Sequence, residues 1–136
     1  MAAHSLMVPV AIAIGGACGA LARHYFGAAV MRAQAHLIGG HFPTGILLAN
    51  ILGSVVMGLL VGGLASRLEL GLVGRSALQV GFLGAFTTFS TFSLDTMLLW
   101  ERGTHVLAVV YVVASVSLAV AGLFGGMRLG HWLVAG

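Results

Sequence analysis

Apolar positions along this chain fall into four long runs separated by three short polar stretches. The runs extend from Leu6 to Met31, Thr44 to Ser66, Leu72 to Trp100 and His105 to Met127. Each is long enough for the ~20 residues a helix needs to cross the hydrocarbon layer of a bilayer. The pattern predicts an all-α membrane protein, a single domain of four transmembrane helices over residues 1–136. The connection Arg32–Pro43 carries His36, Gly39, Gly40 and His41, with both histidines expected at the interface. The second connection holds Arg67 and Glu69, with Arg75 just beyond, and Glu101–Thr104 makes a tight polar turn. The first run has no charged stretch before it and no separate cleavage site, so it is expected to stay as a span.

One stretch breaks the apolar monotony. Gly81 to Ser93 packs five hydroxyl side chains (Thr87, Thr88, Ser90, Thr91, Ser93), four phenylalanines and two glycines into the middle of the third run. Polar groups at membrane depth must face protein, water or an ion. Ser and Thr compete with the helix ladder for nearby backbone groups, and glycine weakens it further. Two readings stay open: a helix interrupted near the membrane centre with a site built around the interruption, or an unbroken helix whose hydroxyls tie it to its neighbours.

Composition agrees with the membrane assignment. Hydrophobic residues make up 60% of the chain and charged ones only 7%, against roughly 25% charged in soluble domains. Mean hydropathy is +1.10. The net charge of +3 is too small and too scattered for nucleic acid or anionic-lipid recognition. Cys18 is the sole cysteine, without partners for a disulfide or a metal site. Four helices make a thin bundle, so a second copy is expected to enclose its polar interior.

The few polar residues inside the spans are the candidates for chemistry. Arg23 ends the first span, as an interfacial anchor or as an attractor of anions at a pore mouth. Asn50 lies about two turns into the second, either bonding a neighbouring helix or donating its NH₂ group to a desolvated ion. Tyr111 and Ser115 are four apart on one face of the fourth span, with Ser117 pointing elsewhere. Asp95 is expected near the surface beside Glu101 and Arg102. Gly15 and Gly19, and Gly122 and Gly126, have the spacing of close helix contacts. With four spans, Arg67, Arg75 and Arg128 fall on one side, and Arg32, Arg102 and an outward-snorkelling Arg23 on the other. The positive-inside rule then sets no direction, and copies inserted both ways could pair about an axis in the membrane plane.

Three motifs lie in order: Gly16-Ala-Cys-Gly-Ala-Leu-Ala-Arg23, Gly45-Ile-Leu-Leu-Ala-Asn50-Ile-Leu-Gly53, and Gly81 to Ser93, followed by Glu101-Arg-Gly103. Together they closely resemble the Fluc (CrcB) family of bacterial fluoride channels, over nearly the whole chain. The resemblance implies a dual-topology antiparallel homodimer in the bacterial inner (plasma) membrane, passing cytoplasmic fluoride outward through two pores. It implies a structural sodium ion at the dimer centre, held by main-chain carbonyls of Gly84 and Thr87 from both subunits. It also implies that Phe89, Phe92 and Asn50 line the pore, that Arg23 lies near the vestibule, and that Tyr111 and Ser115 form a polar track. Two positions depart from the family pattern. Ile46 stands where Thr is common, and Ala119 where the track often continues.

The residues themselves are compatible with these roles. An interrupted helix frees carbonyls, and neutral carbonyl oxygens suit a hard cation. Fluoride is small and strongly hydrated, so its water must be replaced by donors. The amide of Asn50 and the hydroxyls of Ser90, Thr91 and Ser115 can donate. The partly positive ring edges of Phe89 and Phe92 could meet the anion edge-on. No Lys or Arg lies between Ser76 and Trp100, so nothing there would trap the ion. The alternative is a small four-helix multidrug or cation transporter, which needs a membrane-embedded acid. The first span has none, and Asp95 comes late in the third. No nucleophile, base and orienting group converge as an enzyme would require.

Overall fold

The computed structural model describes residues 2–37, 40 and 42–135, with side chains from residue 6 onward. His41 and Gly39 lie outside the described residues. The described chain is helical throughout, with four helices long and apolar enough to cross a membrane: Leu6–Leu37, Thr44–Arg67, Leu72–Glu101 and His105–Ala135. Two run further than their apolar patterns. The first continues past Met31 to Leu37, and the fourth past Met127 to Ala135. Backbone hydrogen bonds propagate cheaply once a helix is nucleated, so polar residues such as Arg32 and Arg128 extend it past the apolar core. Pro9 sits in the amino-terminal part of the first helix without ending it.

The second and third spans are irregular. The second passes from Thr44–Leu59 into a π-helical turn, Leu60–Leu64, in which Gly63 takes φ +119°. A side chain at Gly63 would be strained by that φ, and its Cβ would lie 3.1 Å from Val134. The third starts as Leu72–Arg75, widens into a π-helix over Ser76–Leu83, and regains α geometry over Gly84–Phe86. It then breaks. Thr87 and Thr88 are extended (ψ 156° and 127°), and the helix restarts over Phe89–Glu101. The tight connection expected at Glu101–Thr104 is present. Gly103 takes φ +76°, and the Thr104 hydroxyl closes onto the Leu99 carbonyl at 2.7 Å.

Glycines decide which helices meet. The first span packs on the first half of the third, where a Cβ at Gly15 would lie 2.2 Å from the Ala77 carbonyl oxygen and one at Gly19 2.1 Å from that of Phe82. The second span packs on the fourth. There Gly58 and Gly62 approach the backbone at Leu123 and Met127, while Gly126 and Gly130 approach it at Val55 and Leu59. The reciprocal pair on the fourth helix is therefore Gly126 with Gly130. Gly122 meets chiefly the Val55 side chain, at 3.0 Å. Without lipid-to-protein transfer to drive it, such packing depends on this close backbone approach.

The break passes the chain from one partner to another. Before it the third span lies on the first; after it, on the fourth. Two small apolar cores result. Leu60, Ala65 and Leu83 form one, and Phe92, Leu99, Ala108 and Tyr111 the other. Large apolar side chains such as Leu21, Val80, Val109 and Phe124 face outward, as on a surface that meets lipid or protein instead of water.

Candidate functional site: a helix break flanked by two clefts

At the break, side chains replace the missing ladder. A helix ending at Phe86 leaves its last carbonyls without donors. In an unbroken helix the Thr88 N–H would bond the Gly84 carbonyl. Here it donates to Asn50 Oδ1 at 2.8 Å, and Asn50 Nδ2 donates to the Thr88 carbonyl at 3.1 Å. One amide thus holds both main-chain polar groups of Thr88, as a neighbouring strand would. Thr88 also caps the next helix: its Oγ1 accepts from the Thr91 N–H at 3.2 Å and donates to Thr91 Oγ1 at 3.2 Å. Such a cap is worth about 1 kcal/mol. That bond takes the donor an unbroken helix would give the Thr87 carbonyl, which accepts instead from Arg23 Nη1 at 3.3 Å.

Two clefts flank the break. The first, about 260 Å³, is lined by Asn50, Ser54, Thr87, Thr88, Phe89, Phe92, Ser115, Val116 and Ala119. Ser115 is 4% exposed, and its Oγ has no hydrogen-bond partner among the described residues. A buried hydroxyl left unpaired costs about 1–3 kcal/mol, so its orientation calls for a ligand or water. Asn50 keeps one N–H free after its two bonds to Thr88. The rings of Phe89 and Phe92 lie 5.4 Å apart at 48°. Phe92 is buried, whereas Phe89 is 78% exposed.

The second cleft lies across the break, lined by Arg23, His24, Met31, Pro43, Ile46, Thr91 and Asp95 among others. Thr91 thus faces this cleft while bonded to Thr88, which lines the other. Ser90 is exposed, 3.3 Å from Thr88 Oγ1. Ser93 and Thr96 turn back onto their own helix, bonding the Phe89 and Phe92 carbonyls at 2.9 Å each.

Tyr111 is fully buried behind Phe92, ring centroids 5.4 Å apart, and its hydroxyl donates to Asp95 Oδ2 at 3.3 Å. It supports the first cleft from behind, whereas Ser115 opens into it. Ser117 is exposed, as the helical spacing required. Asp95 shares a pocket with Arg102, as its position in the chain suggests, but its place in the second cleft was missed. It is half-buried, and its Oδ2 accepts from Tyr111. The signal was its spacing: Asp95 stands four residues after Thr91 and on the same helix face. Ser54, four residues after Asn50, was missed for the same reason.

Among the described residues no group of His, Cys, Asp and Glu could hold a metal ion, so any cation would rely on main-chain oxygens. The break fits that demand. The donors due to the Gly84 and Thr87 carbonyls are both diverted, and Gly84 is exposed. Neutral oxygens of this kind suit a hard monovalent ion.

The fold and site define a multi-pass membrane protein with a polar, aromatic-lined cleft beside a broken helix. Residues 10–127 match the family described as CrcB-like protein, Camphor Resistance (CrcB). The chain belongs to that family. It is 50% identical over 116 residues, 85% of this chain and 90% of the relative, to "Fluoride-specific ion channel FluC 2" of Nitrobacter hamburgensis. It is 42% identical over 132 residues, 97% and 96% of the two chains, to "Fluoride-specific ion channel FluC" of Saccharophagus degradans. A protein of the same name from Agrobacterium fabrum is 44% identical over 120 residues, 88% and 93%.

Proposed function

We propose that this protein is a fluoride-selective channel, working as a single four-helix domain in the bacterial plasma membrane and letting cytoplasmic fluoride leave passively. It is an ion channel and not an enzyme. The observation that carries the reading is the unpartnered, buried Ser115 hydroxyl, which shares one cleft with the free N–H of Asn50 and the rings of Phe89 and Phe92. These groups are neutral donors and ring edges. They can replace part of an anion's hydration without holding it as tightly as a lysine or arginine would. Names of relatives at 42–50% identity point to the same ion.

The pathway in this reading runs through both clefts. Arg23 and Thr91 stand on one side of the break, Asn50, Phe89, Phe92, Ser115 and the exposed Ser90 on the other, and Tyr111 braces Phe92. Ile46 lines the second cleft and Ala119 the first, so neither end gains a hydroxyl at those positions. The pore is completed by a second copy in the opposite orientation, which covers exposed Phe89 and gives two pores per homodimer. A sodium ion held by the Gly84 and Thr87 carbonyls of both subunits would take up the Gly84 oxygen, whose helical donor is diverted to Asn50, and share the Thr87 oxygen with Arg23. Its chemistry is structural: a fixed positive charge that ties two chains together.

Purified protein in liposomes loaded with fluoride or chloride, read with ion-selective electrodes, tests the function. Fast fluoride efflux with little chloride efflux is expected; equal rates, or no fluoride efflux, refute it. Carboxy-terminal reporters active on one side only test the orientation. Signal on both sides is expected, and a strictly one-sided signal removes the antiparallel pair.

A further inference from the structure

Arg23 is a full positive charge placed on an oxygen that the proposed cation would use. Its Nη1 donates to the Thr87 carbonyl at 3.3 Å across a sequence separation of 64 residues. The contact is fixed by packing. Arg23 follows Gly19 by four residues on the same helix face, and Gly19 brings the first helix against the backbone at Phe82. Among the described residues no carboxylate pairs with Arg23. Asp95, in the same cleft, accepts from Tyr111 instead. The Gly84 carbonyl differs, because its helical donor goes to Asn50 and the residue is exposed.

We infer that Arg23 is an internal competitor for the cation site. It donates to the Thr87 carbonyl and thereby lowers the affinity of that site for sodium when two chains meet. The inference rests on the sodium reading proposed above and adds what sets the affinity. A carbonyl oxygen can serve a guanidinium N–H and a metal ion together only with two positive charges within a few ångströms. At an effective dielectric of about 20, such a pair separated by about 5 Å repels strongly enough to change binding on the order of a hundredfold. Partial solvent access through the cleft reduces this, and a tenfold effect is a reasonable floor. Because the site is shared, each of two chains would contribute one such arginine.

The test is a sodium titration of the thermal unfolding midpoint of the full-length protein in detergent, with N-methylglucamine as the replacing cation. Arg23→Gln keeps an N–H donor for the Thr87 carbonyl and removes the charge. It should half-saturate at a sodium concentration about tenfold or more below that of the unmodified protein. Arg23→Lys keeps the charge on a different reach and should fall between the two. It also serves if the glutamine variant does not fold. Half-saturation unchanged or shifted to higher sodium in the glutamine variant, or a lysine variant needing more sodium than the unmodified chain, overturns the competition. If neither the unmodified protein nor the variants respond to sodium, the sodium reading itself fails, and the inference with it. A sodium response in the unmodified protein with no shift in the variants refutes the inference alone.

Discussion

Asn50 bonds both the N–H and the carbonyl of Thr88, and two substitutions separate that structural task from conduction. Alanine removes both bonds and leaves two main-chain groups at the break without partners. Each such group costs about 1–3 kcal/mol when buried. The cleft is open enough for water to replace part of this, so a loss of about 2–4 kcal/mol is expected. Aspartate keeps the acceptor for the Thr88 N–H but sets a carboxylate oxygen against the Thr88 carbonyl, so one bond survives and one becomes a repulsion. It also puts a negative charge beside the ion. At about 5 Å and an effective dielectric of about 20, that repels an anion by about 3 kcal/mol, roughly a hundredfold in occupancy. Thermal unfolding in detergent and fluoride efflux from liposomes should therefore separate the variants. Alanine should be the less stable of the two, and aspartate should hold more of the fold while conducting no measurable fluoride. Wild-type efflux from Asn50→Asp would show that Asn50 is only a clasp. Wild-type stability of Asn50→Ala would show that the break holds without it.

Ser115→Ala removes a hydroxyl that has no hydrogen-bond partner among the described residues. Unfolding should stay unchanged or shift slightly upward, while fluoride efflux falls; a clear loss of stability would mean that the hydroxyl is a structural bond. Replacing both Phe89 and Phe92 with Ile keeps much of the bulk but removes the ring edges. Efflux should collapse, and conduction at the original rate would exclude an edge-on role for the rings. Most of the destabilisation should come from Phe92, which is packed on Tyr111, and little from exposed Phe89. Gly126→Ala sets a Cβ 2.3 Å from the Val55 carbonyl and should cost about 1–3 kcal/mol, whereas Gly125→Ala meets nothing within 4 Å. The second variant should be neutral or gain up to about 1 kcal/mol of helix propensity, and equal unfolding midpoints for the two would refute the packing argument.

The spans and the polar stretch of the third helix were legible in the linear chain. Lipid leaves a segment few options, so ~20 apolar residues announce a helix, whereas a cluster of hydroxyls within one fits either a break or bonds to neighbouring helices. The register of the fourth helix was less clear. Gly122, Gly126 and Gly130 share one face by spacing, and only the position of the facing backbone shows which of them it reaches. Asp95 was read beside Arg102, with which it does share a pocket, but its bond from Tyr111 was not read, because Tyr111 comes from another helix. The double bond of Asn50 to Thr88 and the reach of Arg23 to Thr87 were not legible at all. Both join residues dozens of positions apart, across interfaces that form only once the glycine faces have met. Composition and periodicity therefore settled the number of membrane crossings, because that follows from local solvation, and marked where an interruption could fall; that the helix breaks there only the structure decided. Which side chain completes each freed backbone group is a long-range matter, settled by how closely the helices pack.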